Sequence, residues 1–492
     1  MKKSYEPQSE AHGLLNIKKL TMNKHISYRK IARSLGLLML LAAVTPVLAQ
    51  HTATGYFNQG YTYRNEMNPA LAPEDSLSKN YIAMPVLGNV NVGLQGNLGV
   101  KDVIYNVNGR TTTFLNAGVS SSEFLSNIHD NNEVNADIKI NILSAGFKAF
   151  GGYNTISINT RASISANVPG SLLRLAKEGV KNGTYDISDL SAHADAYAEL
   201  AFGHSRRLND QWRVGASLKL LFGLGNVDAD FDKALLTLNE NEWSVEANAE
   251  VQASIKGLEY ITETKMRGAE GEQTAHTYIN DLDLDGYGLS GFGLAVDLGA
   301  EFTLDEQWKF SAALLDFGFI SWSNNYVAST NGDRYFNTDT YLFSFDDNAY
   351  HNTDDEWDRF AEGLADLYEL QDNGDQGGRT KMLAATLNFG AEYTLPAYQR
   401  LSFGLLNTTR LHGQYSWTDF RLSANVEPVD IFSASLSLAA GTYGCSFGWM
   451  LNLHMTGLNL FFAMDHMLGS LSSEGVPLNS NASANFGLNF LF

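Results

Sequence analysis

Several absences narrow the possibilities for this chain of 492 residues. It has one cysteine, Cys445, so no internal disulfide can form. Proline is scarce, with 9 residues, whereas glycine is frequent, with 44, which suits many strands joined by short turns. After residue 49 there is no run of about 18 apolar residues, which excludes membrane-spanning helices. The eleven histidines are scattered without metal-ligand spacing, so we expect no metal and no cofactor.

Basic residues are also in short supply. The formal net charge is −20, from 34 Lys and Arg against 54 Asp and Glu. Residues 1–49 hold eight of the basic residues and two of the acidic ones, so the remainder has 26 basic and 52 acidic residues. Phosphate contacts need clustered Lys and Arg, and nucleic-acid binding is therefore disfavoured.

The first 49 residues have the pattern of a secretory signal peptide preceded by a short extension. Lys24, Arg29, Lys30 and Arg33 precede an apolar run from Leu35 to Leu48. That run is too short to cross a bilayer as a helix, and small residues lead to a cleavage site near Ala49. We expect residues 1–49 to be removed on export.

The clearest structural signal is strict alternation over long stretches. From Trp212 to Leu224 every second residue is apolar, and the residues between them are small or polar apart from Leu221. The same period runs from Tyr153 to Val168. Successive strand side chains point to opposite faces, so each stretch has one apolar and one polar face. Thirteen residues span about 43 Å, a length typical of a tilted strand that crosses a membrane.

One hairpin unit recurs along the chain. LNDQWRVGASL at 208–218 and LDEQWKFSAAL at 304–314 share a turn, a Gln-Trp pair and then alternation; a looser copy, LPAYQRLSFGLL, begins at Leu395. The short turns all fall on one side of the predicted sheet, and the long excursions at 105, 324 and 466 fall on the other. This predicts an all-β transmembrane antiparallel barrel of about 14 strands. Sixteen is possible, with the pair near 244–265 the weakest.

Aromatic residues at predicted strand ends form a candidate interfacial girdle. They are Trp212, Trp308, Trp322, Tyr393 and Tyr398. Two short helices are expected on loops, at 171–180 and at 357–367, because apolar residues there have helical spacing.

The signal peptide, the alternating strands and the C-terminal NFGLNFLF together resemble Gram-negative outer-membrane barrels. That resemblance implies that Phe492 is the signal read by the barrel-assembly machinery. Residues 63–94, YRNEMNPALAPEDSLSKNYIAMPVLGNVNVGL, resemble the start of an uncharacterised family related to the FadL and PorV barrels. FadL barrels have fourteen strands and fold this region inside as a hatch.

By that resemblance, residues 50–79 would form a hatch or plug segment and residues 80–492 the barrel. Asn68, Pro69 and Ala70 are the hatch candidates, because they match an Asn-Pro-Ala element of the family. A plain turn is an equal alternative, since Asn-Pro is a common turn former.

Two local motifs resemble those of serine hydrolases and of calcium-binding loops. Gly444 to Gly448 match G-x-S-x-G, with Asp465 and His466 later in the chain, but the residues after Ser446 continue a strand where a nucleophile elbow needs a turn and a helix. An outer-membrane lipase is therefore a weak alternative, and we expect no enzyme activity. Asp281, Asp283 and Asp285 begin a calcium-loop pattern whose twelfth position is Phe292 in place of Glu.

The sequence favours a monomeric, FadL-like outer-membrane transporter or channel for a small hydrophobic solute. The alternative is a PorV-like barrel, without enzyme activity, that docks secreted or surface proteins. The expected partners are outer-membrane lipid, the barrel-assembly machinery, and the solute or docked protein. The sequence identifies neither the transported solute nor the docked protein.

Overall fold

The computed structural model describes residues 52–72, 80–107, 110–179, 181–238, 243–267, 274–286, 288–332, 334–337, 369–466 and 481–492. The predicted signal peptide and the helix expected at 357–367 lie outside these ranges. None of the helices within them is long and apolar enough to cross a membrane.

The described residues form strands with a few short helices. The strands are β1 (Tyr81–Ala83), β2 (Val90–Gly96), β3 (Ile104–Val107), β4 (Arg110–Thr113), β5 (Asn131–Ala149), β6 (Gly152–Pro169), β7 (Gly183–Asp186), β8 (Ser191–Arg207), β9 (Trp212–Leu238), β10 (Trp243–Ile255), β11 (Leu258–Arg267), β12 (Thr274–Leu284), β13 (Gly291–Thr303), β14 (Trp308–Trp322), β15 (Tyr326–Ser329), β16 (Arg334–Asn337), β17 (Gln371–Asp375), β18 (Arg379–Met382), β19 (Ala385–Thr394), β20 (Leu401–Leu411), β21 (Trp417–Val429), β22 (Phe432–Gly441), β23 (Gly444–Met455), β24 (Leu458–Met464) and β25 (Ala482–Leu491). The helices are α1 (Val100–Val103), α2 (Ser121–Leu125) and α3 (Gly170–Glu178), with 3-10 turns at Ala53–Gly55, Arg64–Glu66 and Pro69–Leu71. The helix α3 confirms the one expected at 171–180.

The wall is a closed antiparallel barrel of 14 strands within the described residues. Its strands are β1 with β2, then β5, β6, β8, β9, β13, β14, β18 with β19, and β20 to β25. The ring closes because β25 pairs with β24 on one side and with β1 and β2 on the other. The first strand is interrupted between Ala83 and Val90, where Val86 has a φ of 66°.

The pairing around β9 explains why sixteen strands looked possible. Over its first half, β9 pairs with β13, from Trp212 opposite Phe302 to Gly223 opposite Gly291. Beyond Gly225 the same strand pairs with β10. The strand predicted near residue 245 therefore exists, but it extends the sheet past the rim and adds no strand to the barrel wall.

Side chains on the two faces of the wall differ as the alternation predicts. Large apolar residues are exposed on the outer face, among them Phe202, Leu218, Phe292, Leu294, Phe310, Leu405, Leu422, Leu438 and Phe462. Asn, Ser, Lys, Asp and Glu are buried on the inner face. An apolar exterior around a polar interior is the pattern of a barrel that lies in lipid.

The repeated turns share one hydrogen-bonding arrangement. The Asn209 side chain accepts from the backbone N–H of Gln211 and of Trp212, at 3.0 and 2.7 Å. Asp305 does the same for Gln307 and Trp308, at 2.9 and 2.7 Å. The predicted repeat of one hairpin unit is thereby confirmed, because each turn is closed by an Asx side chain three residues before a Trp.

Trp322 was wrongly predicted to lie in the outer girdle. Alternation from Trp308 puts even-numbered residues outside, but the pairing of β13 with β14 shifts register between Val296 and Leu298. Opposite that irregularity Asp316 has a φ of 56°, and beyond it odd-numbered residues such as Phe317 face outward. A one-residue irregularity exchanges the two faces of a strand. Trp322 is consequently 1% exposed and packs on the inner side.

Candidate functional site

Residues 52–72, named the plug segment here, run inside the barrel and are mostly buried. Three 3-10 turns give the segment its shape. At the last of them Asn68 is the N-cap and Pro69 occupies the first position, where its fixed φ and missing N–H are tolerated. Backbone N–H groups that these short turns leave unpaired must find partners elsewhere, and for the first turn Asp465 supplies them.

The start of the plug segment is held by Asp465, which follows β24. The Asp465 carboxylate accepts from the backbone N–H of Ala53 at 2.7 Å and of Thr54 at 2.9 Å. The Thr54 hydroxyl lies 2.7 Å from that of Ser437 on β22. A charged acceptor that receives two backbone N–H groups is among the stronger hydrogen-bond arrangements in proteins.

The middle of the plug segment contacts a row of inward-facing Asn residues on β24 and β25. The Tyr61 hydroxyl donates to Asn485 at 3.3 Å, and the Tyr63 hydroxyl donates to Asn489 at 2.6 Å. The Thr62 hydroxyl donates to Asn459 at 2.9 Å. The ring of Tyr61 also packs edge-on against a wall Phe, so apolar packing supplements the hydrogen bonds.

Asn68 fastens the end of the plug segment to the opposite side of the wall. Its Oδ1 accepts from the N–H of Ala70 at 2.9 Å. Its Nδ2 lies 3.1 Å from the Tyr56 hydroxyl, 3.4 Å from the Ala300 carbonyl on β13 and 3.3 Å from the Ala312 carbonyl on β14. The structure thus brings the three hatch candidates into the lumen, and whether they act as a hatch stays a prediction.

Glycines in the wall make room for the plug segment. A Cβ on Gly215 would lie 2.3 Å from the Pro69 backbone, and one on Gly299 would lie 2.0 Å from Asn68 Oδ1. On β20, a Cβ on Gly404 would lie 2.1 Å from the ring of Phe57. These strand glycines are therefore sites of close approach, which is one of the few reasons for glycine within a strand.

A buried ionic cluster joins the plug segment to the wall. Glu66 lies 3.2 Å from Lys139, which is also 3.7 Å from Glu199. Arg161 binds both oxygens of Asp316, at 2.8 and 3.0 Å, and Lys219 Nζ lies 2.6 Å from the same carboxylate. Lone buried charges are costly, so such groups occur where each has an opposite partner.

A small chamber that is partly open to solvent lies against the plug segment. Ala53 and Met67 of the plug segment form one side of it. Residues from β2, β5, β6, β8, β14 and β19 to β21, with Asp465 and His466, form the rest. This chamber is the candidate functional site, because polar side chains from several strands converge on it.

The remaining girdle aromatics lie near the short turns. The rings of Trp212 and Phe302 pack at a tilt with centroids 4.8 Å apart, and the ring centroids of Trp308 and Tyr393 are 4.9 Å apart. Tyr398 is exposed in the turn between β19 and β20. Phe492 is exposed, and its N–H donates to the Asn80 carbonyl at 2.9 Å. The membrane-interface and assembly roles of these residues stay predictions.

Ser446 and the first two carboxylates of the calcium pattern lie in regular strands, whereas Asp285 follows the end of β12. Gly444–Met455 is a continuous strand, so Ser446 is not on a strand-to-helix elbow, and Asp465 is engaged by the plug segment. Asp281 and Asp283 lie on β12, where each accepts from the next backbone N–H at 2.9 Å. The extended backbone at Asp281 and Asp283 differs from the tight loop that calcium binding by this pattern requires.

Sequence reasoning missed the Asn row and the ionic cluster. Asn485 and Asn489 are spaced by four along a strand, so they share one face, and that signal was available. No sequence signal predicts that Arg161, Lys219 and Asp316 meet, because their contact depends on three separate strands and on the irregularity in β14.

A closed barrel with an apolar exterior and an internal polypeptide segment defines a transmembrane β-barrel of the outer-membrane type. The chain belongs to a family of unknown function (DUF5723), whose model matches residues 69–465. No curated protein sequence matches the chain significantly.

Solved structures that are similar to this chain include two toluene transporters and a FadL homologue. The toluene transporter TbuX of Ralstonia pickettii has a TM-score of 0.42 at 8% identity, over 90% of this chain and 98% of that one. The toluene transporter TodX of Pseudomonas putida has a TM-score of 0.40 at 10% identity, over 88% and 94%. A Pseudomonas aeruginosa FadL homologue has a TM-score of 0.37 at 9% identity, over 91% and 98%.

Proposed function

We propose that this protein is an outer-membrane barrel that admits a small solute through a lumen closed by the plug segment. The observation that carries the proposal is the set of anchors on opposite sides of the wall. Asp465 and Ser437 hold Thr54 on one side, and the carbonyls of β13 and β14 receive Asn68 on the other. A segment fastened in this way lies across the lumen, so passage requires that it shift.

The resemblance to FadL-type barrels led us to expect a hydrophobic solute. The chamber favours a more polar one, because Asp137, Lys139, Arg161, Arg410 and Arg421 all line it. A hydrocarbon in the chamber would displace water from these charged groups and would not replace the hydrogen bonds that the water made, so its binding would be unfavourable. We therefore extend the proposal to a small polar or amphipathic solute.

Deletion of residues 52–72 tests the plug. Single-channel conductance of the purified protein in planar bilayers should rise, because the segment no longer crosses the lumen. Heat-modifiable migration on gels is the control that the barrel still folds. If a folded deletion variant conducts no better than the parent protein, the plug does not close the lumen.

A reversible tether tests whether the plug segment must move. The hydroxyls of Thr54 and Ser437 are 2.7 Å apart, so Thr54→Cys with Ser437→Cys offers a disulfide in a Cys445→Ser background. Solute entry into liposomes should stop on oxidation and resume on reduction. Each single cysteine variant is the matched control. Undiminished entry through the oxidised tether would refute a moving plug at this end.

A docking role for secreted or surface proteins is the second candidate. The feature in its favour is the sheet beyond the rim, where the outer half of β9 pairs with β10, and β10 pairs with β15 and β16. Deletion of the β11–β12 hairpin should then abolish co-purification of a partner and leave solute entry intact. A channel role alone predicts no co-purifying protein at all.

A further inference from the structure

Four of the side chains that line the chamber each carry a buried polar atom without a hydrogen-bond partner, and these atoms indicate what the chamber binds. Within the described residues, Gln95 Oε1, Asn388 Oδ1, Arg421 Nε and His466 Nδ1 are buried with no hydrogen-bond partner, and all four residues line the chamber. Each side chain is at least nine-tenths buried. A buried polar atom left unpaired costs about 1–3 kcal/mol, so four residues with such atoms around one cavity point to an occupant that pairs with them.

The four atoms offer both donors and acceptors. Gln95 Oε1 and Asn388 Oδ1 accept, and Arg421 Nε donates. His466 Nε2 lies 3.2 Å from Gln95 Nε2, an amide nitrogen that can only donate, so Nε2 accepts and Nδ1 carries the hydrogen. Burial, together with Arg421, lowers the pKa of His466 to about 4, which agrees with a neutral ring. The occupant must therefore both donate and accept hydrogen bonds.

The charged lining residues are already paired with one another. Arg410 lies 3.2 Å from Asp137, Arg161 lies 2.8 Å from Asp316, and Arg421 lies 3.1 Å from Asp419. Lys139 is paired with Glu66 of the plug segment. The four basic lining residues are matched by four acidic ones, Asp137, Asp316, Asp419 and Asp465. An ion would have to break these pairs, so a neutral occupant is favoured.

Apolar side chains complete the lining and limit the choice further. The chamber lining that includes the residues with unpaired polar atoms also contains four apolar or aromatic side chains: Trp417, Tyr197, Leu315 and Leu406. Hydroxyl groups donate and accept, and the C–H faces of a sugar ring can pack against such apolar surfaces. We infer that the chamber binds a small neutral polyhydroxylated solute. This inference rests on the proposed function and names the solute class of the same lumen.

Titration calorimetry on the full-length, detergent-solubilised protein tests the site without requiring passage. D-glucose and maltose are the probes, with L-alanine, acetate and toluene as the zwitterionic, anionic and hydrocarbon comparisons. Saturable binding of at least one sugar, and none of the comparisons, is expected. Saturable toluene binding without sugar binding, or no sugar binding at all, would overturn the inference.

Two variants locate the binding in the chamber. Gln95→Met keeps the side-chain length and removes both polar atoms, so sugar binding should weaken about tenfold. The matched control is Gln211→Met in a short turn, which should bind like the parent protein. His466→Leu removes the other side of the contact and should weaken binding similarly. Unchanged affinity in both folded chamber variants would exclude this site.

Liposome swelling with the same sugars separates the two proposals. Binding that Gln95→Met weakens supports the site even if swelling is absent, and the transport function then fails alone. Swelling driven by sugars without saturable binding supports passage and overturns the specific site.

Discussion

At the residue scale, the lumen is organised by single polar side chains that serve two partners. Asn68 accepts from the plug backbone and donates to the wall, and Asp465 accepts two plug N–H groups. Lys219 is 2.7 Å from Asp297 and 2.6 Å from Asp316. Asn68 and Asp465 couple the plug to the wall, and Lys219 links three wall strands. Removal of any one of these side chains leaves several buried groups unpaired.

Asn68→Ala should loosen the plug segment without unfolding the barrel. The change removes the cap of the last 3-10 turn and the donors to two wall carbonyls, a loss of about 1–2 kcal/mol. Amide hydrogen exchange in residues 52–72 should become roughly 5–30 times faster.

The comparison variant is Asn68→Asp, which keeps the Oδ1 acceptor for Ala70 but not the donors. Its exchange rates should fall between those of the parent protein and Asn68→Ala. Equal protection in all three proteins would contradict an anchoring role for Asn68.

At the element scale, short turns and close strand contacts decide how the wall meets its neighbours. The Asx turns at Asn209 and Asp305 fix hairpin register, and the irregularity at Asp316 reverses the faces of the rest of β14. Strand glycines such as Gly404 set how near the plug segment can approach. Each of these features involves one or two residues but determines the position or the facing of a whole strand or segment.

Gly404→Ala should displace the plug segment, because its Cβ would lie 2.1 Å from Phe57. Both groups are buried and cannot move apart freely. We expect increased leak conductance in planar bilayers. Adding Phe57→Ala should restore the space and bring the leak below that of Gly404→Ala alone. Leak that is additive in the double variant would rule out this contact as the cause.

The turn after β20 should lose order as the pH falls. Burial, then Arg410 and His193, lower the pKa of His412 to about 4. Because the folded-state pKa lies below the ordinary value of about 6.5, the neutral ring contributes stability above that pH. This contribution is lost as the pH falls from about 6.5 towards 4.

Hydrogen exchange of residues 412–416, corrected for the intrinsic rate at each pH, measures the effect. Protection should decline between pH 6.5 and 4 in the parent protein and stay level in His412→Phe. A decline of equal size in the variant would assign the effect to other groups.

At the scale of the whole molecule, the barrel is an apolar exterior around a polar, partly filled interior. The closed ring leaves no wall strand without a partner among the described residues, as hydrocarbon requires. The plug segment fills part of the interior, and the chamber, whose charged side chains are paired, lies against it. Because apolar side chains lie on the outer face and polar ones on the inner face, the same sheet can contact lipid outside and form a polar site inside.

Leu405→Arg should destabilise the barrel in lipid. Leu405 is 51% exposed in the middle of β20, whereas Leu411 is 47% exposed at its end. Arginine costs about 2–4 kcal/mol at the bilayer midplane and about 0–1 near the interface. Urea unfolding in vesicles should therefore show a large loss for Leu405→Arg and a small one for Leu411→Arg. Equal losses would place this face outside the membrane.

The sequence by itself determined the strands, the repeated turns and the sidedness of most of the wall. Alternation from Trp212 to Leu224 is a local property, so it can be read without knowing which strands become neighbours. The plug segment was expected only from a resemblance centred on Asn68 to Ala70. Its local pattern is that of a turn.

Only the tertiary structure decided where the ring closes and what lies inside it. The count of 14 depends on β9 changing partner from β13 to β10, and the inward position of Trp322 depends on an irregularity across two strands. The chamber joins residues as distant as Gln95 and His466. Such contacts arise from strand pairing over hundreds of residues, and no local period in the sequence encodes them.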